Sequence, residues 1–209
     1  MPDRVSGLDA VMRIPSLGVC SLAGNLDGCE VRVLDLALAR GSLGPLVQST
    51  VRRLEPDLVG ISAMSFQYDS ARRVARLARE ARPGVRTALG GYHGTLMAAE
   101  IGGGVDRDLF DFIVRGEGER TLALLLERLA AGNGAFDGIP GLSFRREGAY
   151  RHNPDVDLLP LDEVRLPDRS RRVLDRGRSP ARGFACAVVM AQGSIVVRSI
   201  RGEGFPWLR

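Results

Sequence analysis

The stretch Val85-Arg-Thr-Ala-Leu-Gly-Gly-Tyr-His-Gly-Thr95 decides how this chain folds. An apolar run ends in paired glycines, turns through Tyr92 and His93, and leads toward a helix with Thr95 near its cap. A strand that ends in two glycines lets a large group approach the backbone, because no Cβ stands in the way. The segments on either side repeat the same unit, a strand and then a helix.

Toward the amino terminus, Pro15 and Ser16 start a helix that carries Leu17, Leu22 and Leu26, and Asp27-Gly28 closes it. Glu30-Val-Arg-Val-Leu-Asp-Leu36 alternates and reads as a strand with Asp35 at its carboxyl end. Ser42 to Leu54 is helical. Leu58-Val-Gly-Ile-Ser-Ala-Met64 is a continuous apolar strand, the kind buried on both faces of a parallel sheet. Tyr68 to Arg82 is an Arg-rich amphipathic helix that Pro83-Gly84 ends.

Beyond the opening stretch come a short helix, Leu96 to Ile101, and a strand, Leu109 to Val114. A strong helix follows from Thr121 to Ala131, and Glu119 begins it. Strands alternating with such helices predict an α/β fold, a doubly wound parallel sheet with helices on both faces. Ligands on such sheets bind outside the carboxyl ends of the strands. Those ends are Asp35, Ser62 to Ser65, Gly90 to His93 and Arg115 to Glu119.

After Gly138-Ile-Pro-Gly141 the pattern changes. Leu142 to Arg146 and Ala149 to Arg151 read as a small β-hairpin, and a Pro- and Asp-rich tether follows from Asn153 to Asp168. Phe184 to Ala191 reads as one further strand, and Gln192 to Arg209 shows no amphipathic period. The expected organisation is an α/β domain over 1–135, a hairpin and Pro/Arg-rich linker over 136–182, and a separate carboxyl-terminal segment over 183–209.

The composition narrows the chemistry. With 209 residues, 44% of them hydrophobic, the chain can bury a core. No run of ~18 apolar residues exists to cross a membrane, and no signal pattern opens the chain, so the expectation is a cytoplasmic protein. All 29 basic residues are Arg, which excludes chemistry that needs a Lys. The net charge of +4 is local: Arg165 to Arg182 holds seven Arg against two Asp, leaving the remainder near −1. That stretch reads as a solvated linker, and nucleic acid is not an expected partner. Cys20, Cys29 and Cys186 are too widely spaced for a zinc site or a disulfide framework.

Each candidate motif has a structural reading beside a functional one. Gly90-Gly91 is a tight turn or an approach for a large flat ligand. Ser62 and Ser65 are turn hydroxyls or partners for a ligand's polar edge. His93 is a hydrogen-bonded structural residue or a ligand contact. In Gly116-Glu-Gly-Glu119 the acidic residues cap a helix, while the glycines permit close approach. Neither Rossmann nor P-loop spacing is present, nor a Gly-x-Ser-x-Gly elbow, and no residue is assigned a catalytic or metal-ligating role.

Taken in order, these pieces resemble a known family. Pro15-Ser-Leu-Gly18 is followed by Glu30-Val-Arg-Val-Leu-Asp35 and Pro56-Asp-Leu-Val-Gly-Ile-Ser62. Gly90-Gly-Tyr-His-Gly-Thr95, Val114-Arg-Gly-Glu-Gly-Glu-Arg-Thr-Leu122, Ile139-Pro-Gly-Leu-Ser-Phe-Arg145 and Leu166-Pro-Asp-Arg169 come after them. The series resembles the N-terminal half of cobalamin-dependent radical SAM enzymes, from about Pro15 to Arg169.

The resemblance implies a flavodoxin-like domain that holds cobalamin at the strand ends. It places Pro15, Leu17 and Gly18 on the first contact loop, and Ser62, Ser65, Gly90, Gly91, Tyr92 and His93 on the middle ones. Gly116, Glu117 and Gly118 fall on the last. Many cobalamin domains carry Asp-x-His-x-x-Gly, whose His binds cobalt; here Leu36 and Ala37 follow Asp35, so that His is absent.

The sequence departs from the family in two places. Residues 1–14 supply no clear strand before Pro15. The Cys-x-x-x-Cys-x-x-Cys motif, which would bind a [4Fe–4S] cluster and S-adenosylmethionine, is not present, although Ala187 to Ala191 resembles the strand leading into it. The expectation is a cobalamin-binding module of a methyltransferase-type enzyme, truncated or frame-shifted after Ala191 and inactive alone. Its partner would be a radical SAM barrel, as a domain or a separate chain. The alternatives are an α/β regulatory or interaction domain that no longer binds a ligand, and an intact enzyme using another cofactor.

Overall fold

The computed structural model describes residues 16–36, 42–132, 134–173, 187–190 and 194–198. The expected alternation is present. Helix α1 spans Leu17–Gly24, β1 Glu30–Val33, α2 Leu43–Leu54, β2 Leu58–Ser62, α3 Tyr68–Ala81 and β3 Arg86–Gly90. Two short helices follow, α4 at Gly91–Leu96 and α5 at Ala98–Gly103, then β4 at Phe112–Val114 and α6 at Gly118–Ala130. The hairpin is β5, Leu142–Arg146, and β6, Ala149–His152; β7 is Ala187–Met190 and β8 Ser194–Arg198.

Strands β2, β3 and β4 run parallel in register, with Ser62 opposite Gly90 and Leu89 opposite Ile113. Their apolar side chains feed two cores, one on each face. Helices α2, α3 and α5 cover one face through Val47, Val51, Val74, Ala78 and Ile101. Helices α1 and α6 cover the other through Val19, Ala23, Leu122, Leu125 and Leu126. This is the α/β arrangement the alternation predicts, with the flavodoxin-like fold the resemblance implies, and the reason is the double burial of β2 to β4.

Three features differ from the expectation. The hairpin is not a separate unit: β5 pairs antiparallel with β4, Phe112 opposite Phe144, so it extends the same sheet. Residues 187–190 and 194–198 also join that sheet, whose order is β1-β8-β7-β2-β3-β4-β5-β6. Strand β7 runs parallel to β2, and β8 lies antiparallel to β1. These two strands hold the slot between β1 and β2, where unpaired backbone groups would otherwise sit in the middle of a sheet. The segments expected to decide the first strand, residues 1–14, lie outside the described residues.

The third difference is the tether. Asn153 to Val173 does not float as a linker but straps across the α1–α6 face. Asp155 pairs with Arg115, and the Arg165 guanidinium pairs with Asp27. The Asp168 N–H donates to the Cys20 carbonyl at 2.9 Å. The strap ends along β1, where Val33 N–H donates to Arg171 O at 2.9 Å and Val173 N–H to Val33 O at 2.8 Å. Cys29 lies within this packing, and burial pushes its thiol up to about 12.

Candidate functional site

At the carboxyl ends of β2, β3 and β4 the sheet opens into a cleft of about 230 Å³ on the α1–α6 side. Its floor is apolar: Leu22 of α1, Val114 of β4 and Leu122 of α6, while Ile61 of β2 and Leu89 of β3 border it and send their side chains into the core on the other face. Its walls are short side chains and glycines: Gly18, Gly60, Ser62, Ala88, Gly90, Gly91, Gly116 and Gly118. A concave, mostly apolar pocket at this edge of a doubly wound sheet is where such folds take ligands.

The glycines have different reasons to be glycine. A Cβ on Gly18 would meet nothing within 4 Å, so that direction is open cleft. A Cβ on Gly90 would sit 3.8 Å from Val114 O, an ordinary contact. Gly91 is required by the protein itself. Its φ is +79°, and a Cβ there would come within 2.6 Å of Ser62 Oγ and 2.9 Å of the Ala63 backbone. Of the two readings of Gly91, a tight turn and an approach for a ligand, the turn accounts for the glycine: it is packed against the end of β2, with Ala63 N–H donating to Gly90 O and His93 N–H to Ala63 O.

The first turns of the helices are pinned around the cleft. Ser16 Oγ accepts from Val19 N–H at 3.3 Å and caps α1. The Ser16 N–H in turn donates to Asp35, a carboxylate only 1% exposed. Glu119 accepts from Ser21 Oγ at 2.8 Å, locking α6 to α1, and Glu117 accepts from Leu159 N–H of the strap at 3.3 Å. Both acidic groups also suit the positive end of the α6 dipole. Thr95 Oγ1 donates to Gly91 O and accepts from Gly116 N–H, each at 3.0 Å.

Of the residues expected at the site, Gly18, Ser62, Gly90, Gly91, Gly116, Glu117 and Gly118 line this one cleft. Leu17, Ser65 and Tyr92 are exposed on the same side, outside the cleft. With Met64 and Phe66 they add exposed apolar area to the segments following β2 and β3 and to the start of α1. His93 is elsewhere. It is buried, its ring centroid 4.1 Å from that of Tyr68, and burial lowers its pKa from 6.5. Tyr68 OH donates to Asp106 at 3.1 Å on the α3 side of the sheet. Pro15 lies outside the described residues. The sequence reading missed the apolar floor, whose signal was Val114 at the end of one apolar strand and Leu122 in the helix that follows, and the bridging hydroxyl of Thr95.

The family model described as the B12 binding domain matches residues 4–126. An uncharacterized methyltransferase of Pyrococcus horikoshii is 30% identical over 182 residues, covering 84% of this chain and 38% of that protein. The anaerobic magnesium-protoporphyrin IX monomethyl ester cyclase of Rubrivivax gelatinosus is 35% identical over 86 residues, 41% of this chain and 15% of the relative. The Synechocystis protein of the same name is 32% identical over 143 residues, 65% and 27% of the two chains. The chain thus spans well under half the length of these relatives.

Proposed function

The chain belongs to the B12-binding domain family, and from that premise we propose that it is the cofactor module of a methyltransferase-type radical SAM enzyme. Its cofactor is cobalamin. The observation that carries the placement is the cleft of glycines over an apolar floor, inside the matched residues and at the rim where such sheets bind ligands.

The residues present fit the group. Cobalamin is a broad ring with a long appended arm, and it needs backbone without side chains at one edge and apolar depth behind it. Gly18 and Gly90 leave that room, and Leu22, Val114 and Leu122 supply the depth. Ser62 Oγ offers a hydrogen bond at the mouth. Exposed Leu17, Met64, Phe66 and Tyr92 extend apolar contact beyond the cleft and shield it from water. When bound, cobalamin supplies a cobalt centre competent for group transfer. Glu117 and Glu119 hold the strap and α1 in place rather than moving protons. Radical chemistry would need the iron–sulfur motif, which this sequence does not contain, so the module alone binds without turnover.

The test is an absorbance titration of the purified chain with hydroxocobalamin. The expected result is a saturable spectral change and co-elution at about ten micromolar or below. A folded protein that leaves the spectrum unchanged would overturn the reading and select a domain without this ligand.

A further inference from the structure

The β3–β4 ladder stops at Leu89 opposite Ile113. Past that pair the two strands diverge, and the cleft opens between the loops they lead into. Each loop turns at a glycine with positive φ, Gly91 at +79° and Gly116 at +68°. Glycine has no side chain to fix such a loop and carries the greatest backbone freedom, so its conformation has to be held from outside. The Gly91 turn is held on its inner side by β2, through the Ala63 backbone. The Gly116 turn is held on its outer side, where Arg115 N–H donates to Gly141 O at 2.8 Å. Neither of these contacts joins the two loops to each other by a hydrogen bond.

Thr95 does. It lies one helical turn after Gly91, so its hydroxyl reaches back to the Gly91 carbonyl, as Thr does within helices. A back-bond alone would be unremarkable. The same oxygen, however, accepts the Gly116 N–H at 3.0 Å, a group on a different loop. One hydroxyl therefore uses its proton on one wall of the cleft and a lone pair on the other. Thr95 is exposed and contributes nothing to the core, so its side chain is kept in register by these two bonds.

We propose that Thr95 is a positioning residue for the cofactor: its hydroxyl is a strut that sets the spacing of the Gly91 and Gly116 loops and so the width of the cleft. The proposal rests on the reading that this cleft takes cobalamin. A strut that pre-forms the site lowers the ordering cost of binding, and its loss is read mainly as faster dissociation.

Three variants test it. Thr95→Val keeps the branched shape and removes both hydrogen bonds, Thr95→Ala removes the side chain, and Thr95→Ser keeps the hydroxyl. Two neutral hydrogen bonds correspond to a loss of up to about tenfold in hydroxocobalamin affinity for Thr95→Val and Thr95→Ala. Thr95→Ser should restore binding to near the wild-type value, with the thermal midpoint of all three close to wild type. A second measurement needs no ligand: amide exchange at Gly116 should be slow in wild type and Thr95→Ser and fast in Thr95→Val. If wild type itself does not bind hydroxocobalamin, the cofactor reading fails, and the exchange rates still decide the strut. Wild-type binding matched by Thr95→Val overturns the positioning role, as does weak binding by Thr95→Ser or a Gly116 amide that exchanges as freely in wild type as in Thr95→Val.

Discussion

Ser62 Oγ lies 2.6 Å from the point where a Cβ on Gly91 would stand. Ser62 ends β2 directly opposite Gly90, the last residue of β3, and the turn that begins at Gly91 is folded down onto the end of β2. The contact separates two glycines that look alike in a sequence, since both line the cleft but only Gly91 is required by the turn.

The first prediction concerns stability. Gly91→Ala must accept φ near +79° and displace Ser62 and the Ala63 backbone, so it should cost about 2 kcal/mol or more. Gly90→Ala meets only ordinary contacts and should stay within about 0.5 kcal/mol of wild type. Urea unfolding of the pair checks both, and equal stabilities would refute the assignment of Gly91 to the turn.

Gly18 offers the opposite test. It sits in the first turn of α1 with nothing in front of its missing Cβ. Replacing it with Leu should hold or raise stability by up to about 1 kcal/mol through helix propensity. The same side chain would fill the cleft, so hydroxocobalamin affinity should drop by at least about tenfold, the equivalent of 1.4 kcal/mol. A Gly18→Leu protein that binds as wild type would place the ligand elsewhere.

His93 should make the fold acid-sensitive. Burial lowers its folded pKa below the ordinary 6.5, because the charged ring is disfavoured against Tyr68 and among apolar neighbours. A depressed folded value means that the stability contribution is present above 6.5 and is lost as pH falls through the lower folded value. Denaturation midpoints of wild type and His93→Phe, compared from about pH 7 to pH 5, should diverge, with the variant losing less. Parallel curves would show that the ring titrates as freely in the fold as outside it.

The carboxyl-terminal strands complete the sheet. Ending the chain after Val173 removes β7 and β8 and leaves the facing edges of β1 and β2 unpaired. The thermal midpoint should fall by about 5 °C or more. An unchanged midpoint would mean that the pairing of β7 and β8 contributes nothing to stability.

Much of the architecture was legible because its causes are local. The alternation in Glu30 to Val33, the unbroken apolar run in β2 and the one-sided apolar stripe of α3 each follow from residues a few positions apart. The converging rim was legible too, since parallel topology sends every strand's carboxyl end to one edge. Helix α4 was placed too late. It starts at Gly91, directly after the strand, and breaks at Met97 before α5, because the backbone contacts to Ala63 start the helix at once.

By itself the sequence determined the fold class, the edge where the cleft lies and several glycines that line it, because short-range periodicity and chain direction are enough for these. Only the tertiary structure decided that Gly91 is fixed by its turn, that His93 turns inward to Tyr68, that Thr95 joins two loops, and that the tether and residues 187–190 and 194–198 pack back onto the domain. Each of these depends on atoms brought together from distant parts of the chain. Hydrogen bonds and steric exclusion act over a few ångströms of space, and no local pattern in the sequence records which partners will lie within that reach.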